Sequence, residues 1–302
     1  MAGGSELYDM IKLLVAGCLC AAVFMLPLAQ GECSNKEWSF YQPEGEDLTV
    51  DEAAKKLLDY DVILFGEFHD QAAVHQAESE FLQSLYKQTK QLAISFEMFE
   101  CDTQEYINKY LGGQISETDF LANSRPWPNY QTDYRRLMEF AKLNKLPVIA
   151  ANVPRRLAAQ YSKGMTLADM TTDEQAYLPK QHSLGSNAYY ENFRNYMTSG
   201  QTAMKLNDEQ IERFYAAQCL KDDKMAESIA TYLASNKQRK VLHFQGEFHS
   251  RDHLGVAEKL HALAPQLKIA VIAPVANMAK SSVKELKNKQ KAGELLLLFN
   301  RQ

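Results

Sequence analysis

The sequence predicts an α/β fold: a mainly parallel, doubly wound sheet with a helical insertion that serves as a lid. From residue 57 onward, short β-rich runs alternate with helical stretches, the pattern of a parallel sheet whose crossovers are helices. The runs are apolar from end to end, as strands covered on both faces are. At about 155–206 the alternation stops, in a stretch rich in Tyr, Asn, Gln and Ser with no strand candidate.

In chain order the strand candidates are residues 62–65, 92–96, 147–150, 241–244 and 269–272, with 295–299 as an edge strand. Each is so short that a buried helix segment fits the same letters. Residues 74–86, 134–143, 209–220 and 225–233 have the length and mixed polarity of covering helices. The stretch at 155–206 is the expected helical insertion. Residues 284–291 are lysine-rich and read as a solvent-facing helix or loop.

Ahead of the fold, residues 1–31 read as a secretory signal, leaving 32–302 as the mature domain. An apolar run at 13–28 follows Lys12 and gives way to the small residues around Ala29-Gln30-Gly31. Glu6 and Asp9 are unusual before such a run, and Met10 is the better start. A membrane anchor is the first alternative, and Pro27 with the small residues favours cleavage over it. Val15-Ala16-Gly17-Cys18 resembles a lipoprotein box, but little apolar sequence precedes Cys18, so lipid anchoring is the weaker expectation.

The 302 residues are 46% hydrophobic and 24% charged, enough to bury a sizeable core. A net charge of -5 provides no basic field for a phosphate backbone, which argues against a nucleic-acid partner. The mature cysteines, Cys33, Cys101 and Cys219, are too few for a disulfide scaffold and are not spaced for zinc. Pairing of Cys101 with Cys219 and two buried free thiols both remain open.

Ligands of open parallel sheets bind beyond the carboxyl ends of the strands. The first strand runs into Gly66-Glu67-Phe68-His69, the second into Glu97, the third into Asn152, Pro154 and Arg155, and the fourth into Gly246-Glu247-Phe248-His249. The repeated tetrapeptide predicts that His69 and His249 share one site. Glu67, His69, Glu97, Glu247 and His249 have the chemistry of a Mn, Fe or Zn site. Without a metal, Glu67, His69, Glu97 and His249 could act as a general base with its orienting acids. Glycine before each Glu would let the chain turn sharply and bring backbone close to a ligand. His75, His243 and His261 read as structural.

Taken in order, these segments resemble the ChaN-like haem-binding uptake family over about residues 57–275. The resemblance rests on Ile63-Leu64-Phe65-Gly66-Glu67-Phe68-His69-Asp70 with His75 downstream, and on Ser95-Phe96-Glu97-Met98-Phe99 with Gln104. It continues through Trp127, Tyr130 and Tyr134 to the run from Leu146 to Arg155. It ends with Ala217-Gln218, Lys221-Asp222 and Met225-Ala226, and with Gly246 to His249 followed by Gly255-Val256.

The family's members are exported, often as lipoproteins, and bind haem for iron acquisition; the family is similar to erythromycin-esterase-like and Tiki hydrolases. The resemblance therefore implies a periplasmic or surface haem-binding protein, with haem, a homodimer partner and an outer-membrane haem receptor as the expected partners. Haem needs an apolar slot, an axial ligand and cations for its propionates. Tyr189, Tyr190 and His182 are the candidate ligands, with Tyr177 and Tyr196 beside them in the insertion. Arg155 and Arg251 are the candidate cations, and Asn152 and Gln218 complete the cofactor-binding set. Glu247 departs from the neutral residue of many members and makes the site more metal-like. The alternative function is a hydrolase with His69 as base, oriented by Glu67 or Glu97, and His249 stabilising the transition state or holding a divalent metal. A purely structural or interaction module is the third reading.

Overall fold

Strand periodicity explains the sheet. In a computed structural model, which describes residues 37–199, 205–276 and 293–301, the apolar runs divide their side chains between two cores. Ile63, Phe65, Ile94, Phe96, Leu242 and Phe244 point into one core, while Val62, Leu64, Ala93 and Val241 point into the other. That period of two on fully buried strands is why the runs show no polar alternation. The proposed leader, Cys33 and residues 284–291 lie outside the described residues.

The chain begins with β1 (Trp38–Tyr41) and β2 (Asp47–Leu48), then α1 (Val50–Lys56), whose Thr49 and Glu52 form a reciprocal cap. β3 (Val62–Glu67), α2 (Ala72–Gln88) and β4 (Leu92–Glu100) follow. Next come α3 (Gln104–Leu111), α4 (Glu117–Ser124), a single π-helical turn at Tyr130–Tyr134, α5 (Arg135–Asn144) and β5 (Val148–Asn152). The stretch expected to be helical holds α6 (Arg155–Ser162), α7 (Thr172–Gln175) and α8 (Asn187–Thr198). α9 (Asp208–Ser235), β6 (Lys240–Gly246), α10 (Val256–Leu263), β7 (Ile269–Ala276) and β8 (Leu295–Phe299) complete the described chain.

The eight strands of the described residues form one mixed sheet in the order β2-β1-β8-β7-β3-β6-β4-β5. β3 to β8 are mutually parallel, and β1 runs antiparallel to both β2 and β8. The doubly wound, mainly parallel expectation matches this architecture. Two expectations need correction. β8 is not an edge strand, because β1 covers it; β1 and β2 lie ahead of residue 57, where the helix-strand alternation was first read.

The expected helices at 209–220 and 225–233 are one 28-residue helix, α9. Lys221-Asp222-Asp223-Lys224 looks like a polar break, yet Asp222, Asp223 and Lys224 are buried and each has a partner. Asp222 meets His249, Asp223 meets His182 and Lys259, and Lys224 donates to the Leu178 carbonyl. Charges that are paired in the interior need no solvent and so do not end a helix.

Cys101 and Cys219 are free thiols, which resolves the open question in favour of no pairing. His243 is buried against the Ser95 hydroxyl, and burial pushes its pKa down to about 3, as befits a neutral structural histidine. His261 lies exposed on α10.

Candidate functional site at the strand ends

β3, β6, β4 and β5 end side by side and open onto a cleft of about 670 Å³. Both copies of the repeated tetrapeptide line it. They are not equivalent, however, because the parallel register sets Gly66 opposite Gln245 and Glu67 opposite Gly246. The copies are thus offset by one residue, and an offset of one places corresponding side chains on opposite faces. Glu67 shares the face of Ile63 and Phe65, beneath α2, and bonds its own histidine, with His69 Nδ1 2.7 Å from Glu67 Oε1. Glu247 lies in a short turn instead and pairs with Arg251 at 2.8 Å.

His249 takes its carboxylates from elsewhere. Its Nδ1 lies 2.5 Å from Asp222 Oδ1 on α9, and its Nε2 lies 3.2 Å from Glu97 Oε1. Glu97 Oε2 accepts from the Gly246 amide at 2.8 Å. Burial alone would lower the His249 pKa, but the charges of Glu97 and Asp222 and the hydrogen bonds to both outweigh it and lift it to about 10. Burial likewise works to raise the Glu97 carboxyl; the His249 charge and hydrogen bond, with His69 and Lys221 behind them, hold it well below the usual carboxylate range. The two form a buried ion pair, with Asp222 as a second acceptor.

His69 differs in exposure, its side chain being 42% accessible. Glu67 holds Nδ1, Trp127 meets the ring edge-on at 4.7 Å, and Nε2 stands against Gly246 in the cleft lining. Burial pulls the ring's pKa down, and the Glu67 hydrogen bond and Glu97 charge more than restore it, so it sits above the ordinary imidazole value. The glycines serve a different purpose from the expected sharp turn, since neither Gly66 nor Gly246 has a positive φ. A Cβ on Gly246 would stand 2.9 Å from His69 Nε2, so glycine here makes room for the imidazole.

His75 is structural in burial but not isolated. By parity Glu67 points at α2, where His75 and Glu78 stand one turn apart. His75 Nδ1 lies 2.9 Å from Glu78 Oε2 and 3.9 Å from Glu67 Oε2, while its Nε2 lies 3.1 Å from the His69 carbonyl. Tyr134 donates to Glu67 Oε1 at 2.6 Å. Burial raises the Glu67 carboxyl, but the His69 hydrogen bond and His75 charge overcome it, and its pKa is lowered. Burial and the charge of Glu67 push the Glu78 pKa well up, although His75 works against both. Burial opposes protonation of His75, and Glu78 and Glu67 reverse this, lifting its pKa to about 10.

Of the other expected site residues, Asn152, Arg155 and Gln218 line the cleft. Asn152 donates to the Glu97 carbonyl at 3.1 Å, Gln218 approaches His249 at 3.2 Å, and Arg155 stands over Trp127 at 5.7 Å. Tyr189, Tyr190, His182 and Arg251 do not line it, because their polar atoms or rings are engaged elsewhere. Tyr189 donates to Asp222 at 2.8 Å, Tyr190 packs on Tyr215, and His182 is held by Asp223 at 2.7 Å and Tyr161 at 3.1 Å. Arg251 is committed to Glu247. Of the insertion's tyrosines it is Tyr196, 61% exposed, that lines the cleft, with Phe193 and Met197 beside it.

The expected five-residue metal set does not converge either: Glu97 and His249 neutralise each other, and Glu247 is turned to Arg251. Among the described residues, the group of three ligand atoms lying within 4.8 Å of one another is Glu67, His75 and Glu78. Asp222 and Glu78 were missed as site residues. A usable signal existed for Glu78, since His75 and Glu78 share one helix face directly after a strand-end glutamate.

Residues 53–260 match the profile of the family described as haem-binding uptake, Tiki superfamily, ChaN. The chain belongs to this family. As a ChaN-type protein it is similar in fold to ChaN of Campylobacter jejuni, whose solved structure is described as cofacial heme binding. That similarity has 16% identity and a TM-score of 0.66, covering 88% of this chain and 98% of that one. It is also similar in fold to a mutant of the erythromycin esterase EreC in its open conformation, with 11% identity and a TM-score of 0.51, covering 86% of this chain and 97% of the esterase. No curated protein matches the chain at a significant level.

Proposed function

We propose that this ChaN-type chain is an exported haem-binding protein that takes part in haem or iron uptake and holds haem in the strand-end cleft. The lining carries this reading. Trp127, Phe193, Met197, Phe214 and Phe248 give the cleft apolar walls, and Arg155 and Lys221 stand among them as cations. Its volume of about 670 Å³ falls in the range of roughly 300–1,000 Å³ usual for small-molecule and cofactor clefts. Haem would bring an iron that takes an axial ligand and two propionates that need cations, and the residues present fit both demands. Tyr196 is the ligand candidate from the insertion, which acts as the lid; Arg155 and Lys221 receive the propionates. Titrating haem into the purified chain tests this: a saturable Soret shift at micromolar haem is expected, and its absence overturns the proposal.

Export belongs to the same proposal, with cleavage near residue 31 and a periplasmic or surface location. A homodimer and an outer-membrane haem receptor are its proposed partners. Mass spectrometry of the protein secreted with its own leader should find an N-terminus near residue 32; an uncleaved N-terminus contradicts export by this route.

The two histidine-carboxylate pairs favour a second reading as a hydrolase. Glu67 fixes the tautomer and direction of His69, leaving Nε2 as a base toward the cleft. His249, anchored through Nδ1 to Asp222, would turn its Nε2 from Glu97 to donate to a developing oxyanion. Ester hydrolysis lost in His69→Ala supports this reading, and equal rates in wild type and variant dismiss it.

A further inference from the structure

Beneath the cleft floor, where Glu67 orients His69, the buried His75 and Glu78 join that carboxylate in a cluster that neither haem binding nor hydrolysis needs. All three side chains are at most 1% exposed. Glu67 Oε2 and Glu78 Oε1 are buried without a hydrogen-bond partner, so each carboxylate of the cluster keeps an unspent oxygen in the interior.

We infer that Glu67, His75 and Glu78 form a binding site for one divalent first-row cation, Zn²⁺ or Mn²⁺, one layer beneath the haem cleft. The separations suit coordination. Ligand atoms about 2.1 Å from a shared metal stand about 3.4 Å apart in a tetrahedron and about 3.0 Å apart at adjacent corners of an octahedron. His75 Nδ1 lies 2.9 Å from Glu78 Oε2 and 3.9 Å from Glu67 Oε2, and the three ligand atoms fall within 4.8 Å of one another. One imidazole and two carboxylates form a hard-to-borderline donor set, matching zinc and manganese.

The surroundings are those of a metal histidine as well. His75 Nε2 faces the His69 carbonyl at 3.1 Å, the partner that fixes a ligating ring, so a metal would take the place of the proton on Nδ1. Tyr134 and His69 hold the remaining oxygen of Glu67, as the non-coordinating oxygen of a ligand carboxylate is commonly held. Charge also balances, because two carboxylates and one divalent cation sum to zero in a dry interior. A bound cation would lock Glu67 and so fix the direction of His69. The site is enclosed, so loading is coupled to folding.

The full chain is stripped of metal in urea, refolded with Zn²⁺ or Mn²⁺ and desalted, and its metal content is measured. About one equivalent is expected in wild type and in Glu97→Gln, with at least a tenfold loss in Glu78→Gln. X-ray absorption of the zinc-loaded wild type gives a readout that needs no variant to fold, and a single imidazole among oxygen ligands is expected. Two imidazoles would move the ion to His69 and His249 and overturn the inference. Refolded wild type without stoichiometric metal overturns it equally.

Discussion

His249 is the residue whose environment departs furthest from what its letters suggest. Because the folded chain binds its proton more tightly than the unfolded chain does, the stability it contributes is complete below about pH 6.5 and is lost as pH rises through about 10. The stability difference between wild type and His249→Gln should therefore shrink across that window, by up to about 1.4 kcal/mol per pH unit for one proton. Urea unfolding at several pH values measures it, and a difference that stays flat from pH 6.5 to 10 contradicts the ion pair. The two glycines give a second prediction. A methyl on Gly66 meets Pro274 Cδ at 3.0 Å and the backbone atoms Glu247 Cα and Ile272 O at 3.1 Å, whereas one on Gly246 meets the half-exposed His69 ring. Gly66→Ala should cost about 1–3 kcal/mol by overpacking. Gly246→Ala should cost less and shift the His69 ring signals in NMR; the reverse order of stabilities would contradict the packing. The strand-end positions of Glu67, His69, Glu97 and His249 were legible because parallel sheets bind ligands there. The partners of His249 were not, since Asp222 sits 27 residues away on a helix and only the register of β3 against β6 reveals that the two tetrapeptides face differently.

At the scale of elements, α9 ties the sheet to the segment that precedes α8. Asp223 accepts from the Ser183 amide at 3.0 Å and meets Lys259 at 3.0 Å, while Lys259 donates to the Ser183 carbonyl at 2.5 Å. Asp223 and Lys259 are both more than nine-tenths buried, so removing one leaves the other as an uncompensated charge. Asp223→Ala should cost about 3–5 kcal/mol in urea unfolding, and Asp223→Ala with Lys259→Met should recover part of it. Equal losses in the single and double variants would mean that the two charges are not coupled. The same buried charges explain why α9 was read as two helices: hydropathy alone treats Lys221-Asp222-Asp223-Lys224 as a surface break, and pairing across the fold is invisible to it. β1 and β2 escaped for another reason, being short and placed ahead of the first regular alternation.

At the scale of the molecule, the cleft sets apolar walls beside carboxylates such as Glu67, Glu97 and Glu247 on a chain of net charge -5, so attraction for the anionic propionates has to come from Arg155 and Lys221 rather than from an overall field. The insertion was expected to supply ligands from Tyr189, Tyr190 and His182, but the helices aim those inward at α9 and leave Tyr196 at the cleft. Helical spacing shows which residues share a face without showing which partner that face meets. The most direct test of the haem cleft is therefore a Soret titration of wild type, Tyr196→Phe and Tyr190→Phe side by side. Micromolar binding by wild type and Tyr190→Phe, with at least a tenfold weaker affinity in Tyr196→Phe, is the predicted result. Undiminished binding by Tyr196→Phe with loss in Tyr190→Phe, or no haem-dependent band in any of the three, would contradict it.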